Sequence, residues 1–504
     1  MNIDIKLYYN NAFKWYVKDN IYVIGYAIYK DKILENDELV DYFSFNNESE
    51  LKKKLEEING YFSVVIKYKD KCYIISDIIR SFPIFYSLTK KGVFISDNIH
   101  EFENSVLLDD SVCELRSTGY VTGDKTLYEN IFQIENSQIV KFDNDGISKS
   151  KYFKYKYNVD NCYDSFLKID SAFNAATKRM IKYLNGRTAV VPLSGGHDSR
   201  IIAYYLKSNG YENIICYTYG KEENSEALVS KGVADYLGIP WYFVKYDPKS
   251  MRKKYRKQYN EVADYYGRGY SLPLIQEWEA IDYLFKNGIV TDNDVVLPGY
   301  TGDFITGNHL VSEEVLRNNS LVDLIYSKNY CLFKGDNGES NKRIIEQFVV
   351  NNGFDTNKID DCINATEMFD FEERQTKFIS NAVRNYDYHG LKWYMFFWDK
   401  EIIDLWLTFP YESKLNRNLF VEFVNQKYGD LMNKIPVVKV NKMTNKKFIS
   451  RLNNMFNAYF NHFINYYMYL SYFKYLYYVL KNKSTNYYYM FACEYLSYLE
   501  KRWW

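Results

Sequence analysis

The chain has 504 residues, more than one hydrophobic core normally holds, so two or more domains are expected. Hydrophobic residues make up 47% and charged residues 25%, which places it among soluble globular proteins. Lys+Arg and Asp+Glu both total 64, so no net field draws the chain to nucleic acid, and nucleic acid is excluded as an expected partner.

In chain order, residues 1–150 read mostly as strands. Asn20–Tyr29, Gly60–Tyr68, Lys71–Ser76 and Val93–Ser96 are rich in Ile, Val and Tyr and are broken by Lys-Asp or Lys-Lys-Gly turns. From about residue 160 the pattern changes. Phe166, Ile169, Phe173, Ala176 and Met180 recur at helical spacing, which predicts an amphipathic helix ending at Asn185-Gly186. A strand over 188–193, a loop, a helix closing at Asn209-Gly210, a strand over 213–219, a helix over 225–237 and a strand over 241–246 follow. Such alternation predicts an α/β class with a doubly wound parallel sheet, its ligand at the carboxyl ends of the strands. After about residue 310 the chain reads mainly helical, and no internal repeat or Pro-rich linker interrupts it. Leu452 to Phe473 lacks Asp, Glu, Lys and Arg and is long enough to span a bilayer. However, Asn457, Asn461 and Asn465 line one helical stripe, so a helix packed on the protein body is expected rather than a transmembrane segment.

The seven cysteines (72, 113, 162, 216, 331, 362 and 493) are dispersed, and Met-Asn-Ile-Asp-Ile-Lys has no signal-peptide pattern. Reduced thiols in a cytoplasmic protein are the expectation. The 53 tyrosines, together with abundant Lys, Asn and Ile, read as a biased coding composition more than as a stacking surface.

The most informative stretch is Val190-Val-Pro-Leu-Ser-Gly-Gly-His-Asp-Ser-Arg200. An apolar strand runs into Leu193, Ser194, Gly195 and Gly196, then Asp198 and Ser199, and a helix opens behind. The glycines let backbone N–H groups approach an anion, and the helix N-terminus adds positive charge. The Asp198 carboxylate suits Mg²⁺ held against phosphate oxygens. A small-residue turn often serves geometry alone, but Ser-Gly-Gly-x-Asp-Ser after a buried strand is a longer and more specific pattern. No Gly-Lys-Ser/Thr follows, so it is not the Walker loop. It resembles the pyrophosphate loop (PP-loop) of enzymes that split ATP into AMP and pyrophosphate.

The whole order resembles asparagine synthetase and its β-lactam synthetase relatives, over roughly residues 20–445. In the front half, Gly60-Tyr-Phe-Ser-Val-Val is similar to the family's Gly-x-Phe strand. Asp77, Arg80, Pro83 and Tyr86 match its Asp-x-x-Gly-x-x-Pro-Leu-Tyr hairpin, with Arg80 at the Gly position. Val93-Phe-Ile-Ser-Asp and Thr126-Leu-Tyr-Glu-Asn-Ile131 resemble two further segments. The family's glutaminase uses an N-terminal cysteine, whereas position 2 here is Asn and the nearest cysteine is Cys72, so no thioester is expected. The resemblance implies a degenerate glutamine-amidotransferase-like (Ntn-hydrolase-like) sandwich over 1–155. It further implies an ATP-binding PP-loop domain of the adenine-nucleotide α-hydrolase type over 160–450, and a Tyr-rich helical extension over 451–504.

In the second half, Leu297-Pro-Gly-Tyr-Thr-Gly-Asp-Phe-Ile-Thr-Gly307 resembles Ser-Gly-x-Gly-x-Asp-Glu-x-x-x-Gly, with Gly299, Asp303 and Gly307 in register and Phe304 at the Glu position. The resemblance implies Mg²⁺ on Asp198 and Asp303. Tyr217-Thr-Tyr-Gly-Lys-Glu-Glu-Asn-Ser-Glu226 is similar to the strand and loop under the adenosine, so Tyr217 and Thr218 are expected there, with backbone from Cys216 to Thr218 reading the adenine edge. Glu226 reads equally as a first-turn helix residue. His389 to Lys400 resembles Gly-x-Glu-x-Arg-x-Pro-Phe-x-Asp, with Lys392, Tyr394 and Phe396 at the Glu, Arg and Pro positions. Lys392 cannot serve as the base that the Glu supplies in the β-lactam branch. Asp399 is expected to cap or support the fold. Phe409-Pro-Tyr-Glu-Ser-Lys and Ile435-Pro-Val-Val-Lys-Val-Asn-Lys442 resemble the next segments, which implies Lys442 as the lysine that neutralises the α-phosphate transition state, with Lys439 in reserve.

The implied reaction has two steps. Mg-ATP activates a small-molecule carboxylate as an acyl-adenylate, and ammonia or an amine then forms an amide, the nitrogen coming free or from a separate glutaminase. The texture after residue 390 is similar to asparagine-synthase-related proteins of surface-polysaccharide clusters, which suggests a sugar acid beside aspartate. A β-lactam or lasso-peptide-type cyclising ligase and a non-catalytic ATP-binding scaffold are the alternatives. A homodimer is compatible with all three.

Overall fold

The computed structural model describes residues 2–8, 11–89, 92–103, 106–160, 164–221, 224–333, 338–429, 431, 435 and 487–502. Lys434, Lys439, Lys442, Lys446, Lys447, Cys162 and the expected helix over 452–473 lie outside them.

The anticipated front strands form at Ile21–Tyr29, Asn59–Tyr68, Lys71–Ser76 and Gly92–Ser96. The first three belong to a seven-stranded antiparallel sheet with Tyr16–Lys18, Lys32–Leu34, Gln138–Asp143 and Gly146–Lys151. The fourth joins Ile3–Lys6, Phe85–Thr89 and Phe132–Gln133 in a second sheet. Val65, Cys72, Ile74, Val140 and Phe142 of the large sheet and Tyr86, Val93 and Ile95 of the small one share a buried cluster, so the two pack as layers. Three helices, Asn36–Phe43, Glu48–Glu57 and Asp109–Thr118, went unread in the sequence because each is short and carries little apolar surface.

The Asp77 hairpin is a structural anchor. Its buried carboxylate accepts N–H bonds from Phe62 and Ile79 at 2.8 Å and from Ser81 at 3.1 Å. Arg80, at a position whose φ of +58° suits glycine, offsets that strain through its guanidinium, which donates to Ile134 O at 2.6 Å and lies 4.1 Å from the Tyr270 ring.

The back half holds a five-stranded, all-parallel sheet. Its order is Trp241–Lys245, Ile214–Gly220, Ala189–Pro192, Val295–Val296 and Lys392–Trp393. Ala189, Val190, Val191, Val295 and Val296 are wholly buried, as expected of a sheet covered on both faces. The helix Ser165–Leu184 ends in left-handed Asn185 and Gly186, as its sequence foretold. Tyrosines join the halves: Tyr26 Oη donates to Trp393 O at 3.0 Å, and Tyr61 Oη to Met395 O at 2.6 Å.

Candidate active site

The strand order reverses at Ala189–Pro192, whose chain successor Ile214–Gly220 lies on one side while Val295–Val296 lies on the other. Such a switch point opens a crevice at the carboxyl ends of the strands. Both motif loops start there.

Leu193 to His197 form the first loop, and the helix Asp198–Ser208 follows with no side-chain cap on its N-terminus. The loop is held from within: Ser194 N donates to Ser199 Oγ at 3.0 Å, the two hydroxyls are 3.2 Å apart, and Gly196 N donates to Ser194 Oγ at 3.3 Å. An uncapped N-terminus leaves N–H donors for an anion. The potential there is positive. Burial, with the Arg417 and Arg200 guanidiniums, pushes His197 down to about 4 and keeps it neutral.

The second loop, Leu297 to Gly307, lies directly on Asp198. A Cβ on Gly299 would come 2.9 Å from Ser199 N, and one on Gly302 would come 2.7 Å from Asp198 Cγ. Glycine at these two positions is what lets the loops touch. Asp303, in the short helix Gly302–Ile305, keeps 44% side-chain exposure to the crevice. Desolvation opposes its charge, but His309 and Arg417 hold it down at about 2. His309 is itself clamped, Nε2 3.5 Å from Asp303 and Nδ1 2.9 Å from Asp370. Burial works against its charge, yet these two carboxylates raise it to about 9, so it is an imidazolium at neutral pH.

Asp198 and Asp303 interact electrostatically. Burial raises the Asp198 pKa, with Asp303 adding to the rise and Arg417 opposing it. Two carboxylates on facing loops fit Mg²⁺, which takes one or two protein carboxylates and completes its shell with phosphate and water. Among the described residues no cluster of three or more potential metal ligands exists, so an all-protein metal cage is not what this site offers.

Tyr217 is wholly buried and its hydroxyl is spent on Glu277 Oε2 at 2.6 Å. The neighbouring backbone is spent in the sheet: Tyr217 O accepts from Leu193 N at 2.9 Å and Cys216 N donates to Pro240 O at 2.8 Å. Past Tyr217 the Ala189–Pro192 strand has ended on one side, while Trp241–Lys245 still pairs with Thr218 to Gly220 on the other. Thr218 Oγ1 ties the loop down, donating to Leu193 O at 2.6 Å. Glu226 sits exposed in the first turn of Ser225–Leu237.

Phe304 points away from the site into the core, packed on Tyr155 and Phe371. Lys392, at the start of the edge strand, pairs with Glu35 at 3.6 Å. Asp399 caps the helix Lys400–Trp406 and takes a bidentate contact from Arg179 at 2.7 and 2.8 Å. Cys72 is wholly buried, its thiol pushed up to about 12 by burial, and is no nucleophile.

Four features escaped the motifs. Arg417 pairs with Asp198. Arg200 donates to Ile435 O at 2.7 Å, tying the entry of the lysine-bearing stretch to the loop's own helix. His309 holds Asp303. Glu277, wholly inside, accepts from Tyr217, Tyr300 and Tyr386 at 2.6, 2.8 and 2.9 Å, and burial raises its pKa. None has a local spacing signal: apart from Asp303, six residues before His309, their partners are tens to hundreds of residues away.

Residues 168–420 match the model of the asparagine synthase family. Over 296 residues the chain is 23% identical to "Microcin J25-processing protein McjC" of Escherichia coli, covering 56% of this chain and 53% of that protein. A shorter stretch of 90 residues is 30% identical to "tRNA-specific 2-thiouridylase MnmA" of Chlamydia trachomatis, covering 16% of this chain and 25% of that one. The chain thus spans about half the length of the first relative and a quarter of the second. Among solved structures, glutamine phosphoribosylpyrophosphate amidotransferase from B. subtilis overlaps 45% of this chain and 47% of its own, at 10% identity and a TM-score of 0.18, too low to carry an argument.

Proposed function

The chain belongs to the asparagine synthase family, and on that premise we propose that it is an ATP-dependent amide ligase that adenylates a small-molecule carboxylate and passes it to ammonia or an amine. The observation that carries this reading is the convergence of Asp198 and Asp303, from two loops at the switch point, made close by Gly299 and Gly302.

Bound Mg²⁺ would screen the triphosphate, which brings about four negative charges, from the two carboxylates. The protein supplies the rest. The open N-terminus of Asp198–Ser208 faces the phosphates from behind the cradle that Ser194, Gly195 and Gly196 form; the Ser194 and Gly196 N–H groups, bonded to the Ser199 and Ser194 hydroxyls, together with Leu193, hold the loop's shape. Lys442, with Lys439 as reserve, neutralises charge on the α-phosphate and the leaving pyrophosphate. Ile435, seven residues before Lys442, is tied to the loop helix by Arg200, so the stretch starts from the site.

The attacking nitrogen must shed a proton, which Lys392 as an ammonium cannot accept. Tyr300, on the second loop, already donates its hydroxyl proton to Glu277. It can therefore take the amine's proton while passing its own to Glu277, and burial makes that carboxylate a better base than an exposed one.

A front half acting as a retained scaffold over 1–155, the synthetase half over 160–450, the extension over 451–504 and a cytoplasmic location complete the proposal. Among the described residues no helix is long and apolar enough to cross a membrane. The similarity to a peptide-processing protein favours, as second reading, a cyclising ligase acting on one bound chain. ATP–[³²P]pyrophosphate exchange across a panel of carboxylic acids, including sugar acids and aspartate, is the test. Exchange with one acid in the absence of any amine supports adenylation. Nucleotide binding with no exchange on any acid or peptide would leave a non-catalytic scaffold instead.

A further inference from the structure

Asp198 already has a cationic partner in Arg417. Arg417 Nη2 contacts Oδ1 closely, and Nη1 lies 3.4 Å from Oδ2. The two side chains keep 13% and 18% exposure, so the pair is mostly out of water yet open toward the crevice. Arg417 Nε is buried with no hydrogen-bond partner among the described residues, which leaves one donor of the fork unspent.

The backbone that delivers this guanidinium is strained. Asn416 (φ 55°, ψ 24°) and Arg417 (φ 65°, ψ 22°) are consecutive non-glycine residues in the left-handed region. Each costs on the order of 1 kcal/mol and persists only where its surroundings over-determine it. Those surroundings are the Phe420 ring, 4.5 Å from the guanidinium, and the Asp198 carboxylate.

Without a cation, Asp198 and Asp303 face each other as like charges. Arg417 supplies the missing positive charge at the carboxylate assigned above to Mg²⁺. A guanidinium is a planar fork that fits a phosphate in the same bidentate way as a carboxylate, which an ammonium does not. We infer that Arg417 is a displaceable counter-ion: it neutralises Asp198 in the nucleotide-free enzyme, then yields that carboxylate and turns its guanidinium to the phosphates of incoming Mg-ATP. This rests on the reading of the loop as a triphosphate site. The exchange leaves no buried charge unpaired in either state, which removes the largest penalty such a rearrangement could carry. No bond is made or broken. Only ionic partners change.

The experiment compares wild type with Arg417→Met and Arg417→Lys in the full chain. Mn²⁺ binding without nucleotide is followed by EPR, and binding of the Mg²⁺ complex of α,β-methylene-ATP by calorimetry. Arg417→Met should bind Mn²⁺ alone about tenfold more tightly, since its competitor is gone, while binding the nucleotide complex about tenfold more weakly. Arg417→Lys keeps the competing charge, so its Mn²⁺ affinity should stay near wild type while nucleotide affinity still falls. It also guards against a Met variant that does not fold. Variants that bind both ligands as wild type does, or that lose both in parallel, would overturn the inference. A wild-type protein that binds neither would overturn the nucleotide-site reading itself.

Discussion

Gly302 and Asp198 are so close that a methyl group on the glycine would sit 2.7 Å from the aspartate's carboxylate carbon and 2.8 Å from the Phe397 ring. The contact sets where the carboxylate points. Gly302→Ala should therefore push Asp198 off its position, lowering affinity for a Mg-nucleotide complex by about tenfold while costing about 1–3 kcal/mol of stability. Calorimetric titration and thermal melts on one preparation separate the two effects. Unchanged nucleotide affinity would mean that this approach does not shape the site.

Asp198→Asn and Asp303→Asn each remove a carboxylate that would hold Mg²⁺. Pyrophosphate exchange should fall by at least about 100-fold in either. Asp198→Asn should keep the fold, because the amide still accepts from Arg417. Full exchange in the Asp198 variant would refute the metal assignment.

Lys442→Ala should reduce exchange by about 100-fold with nucleotide affinity nearly unchanged, as loss of a contact made mainly in the transition state demands. Lys439→Ala should do less. The reverse order would assign the role to Lys439.

Arg179 is an independent control, since it holds Asp399 rather than the nucleotide. Asp399 is wholly inside and Arg179 is 12% exposed, so Arg179→Met leaves a buried carboxylate with no cationic partner, held by Asn59, the Tyr394 hydroxyl and the helix N–H. The expected loss is about 3 kcal/mol of stability, read by denaturant unfolding, with nucleotide affinity intact in the protein that remains folded. A neutral result would show the pair to be replaceable.

His389 predicts the acid limb. Burial holds its imidazole down at about 4, with Asp282 opposing the shift and Lys254 and Lys286 adding to it. Its folded pKa lies below its unfolded value near 6.5, so its contribution is complete above about 6.5 and is lost as pH falls toward 4. One such group changes stability by at most about 1.4 kcal/mol per pH unit, less here because the ring is partly exposed. His389→Phe should narrow the gap between melting temperatures at pH 7.5 and 5.0. An unchanged gap would place the acid sensitivity elsewhere, His197 being the other histidine held near 4.

Local pattern was sufficient for the middle of the parallel sheet, because its longer strands are apolar runs and its helices close on Asn-Gly or Gly: the Ala189–Pro192 strand, the Ser225–Leu237 helix and the loop between 193 and 199 all stand where periodicity and turn chemistry put them, whereas the two-residue edge strand Lys392–Trp393 shows no period. Short edge strands such as Ile3–Lys6 and Phe132–Gln133 carry too few residues for a period to show. The residue types of the triphosphate cradle were legible for the same local reason. Its electrostatics were not. Whether Asp198 meets Arg417, whether His309 is charged by Asp370, and whether Tyr217 faces a ligand or Glu277 depend on partners 60 to 219 residues away. A spacing rule reads neighbours along the chain, whereas charge and hydrogen bonding are settled by neighbours in space, and only folding brings those together.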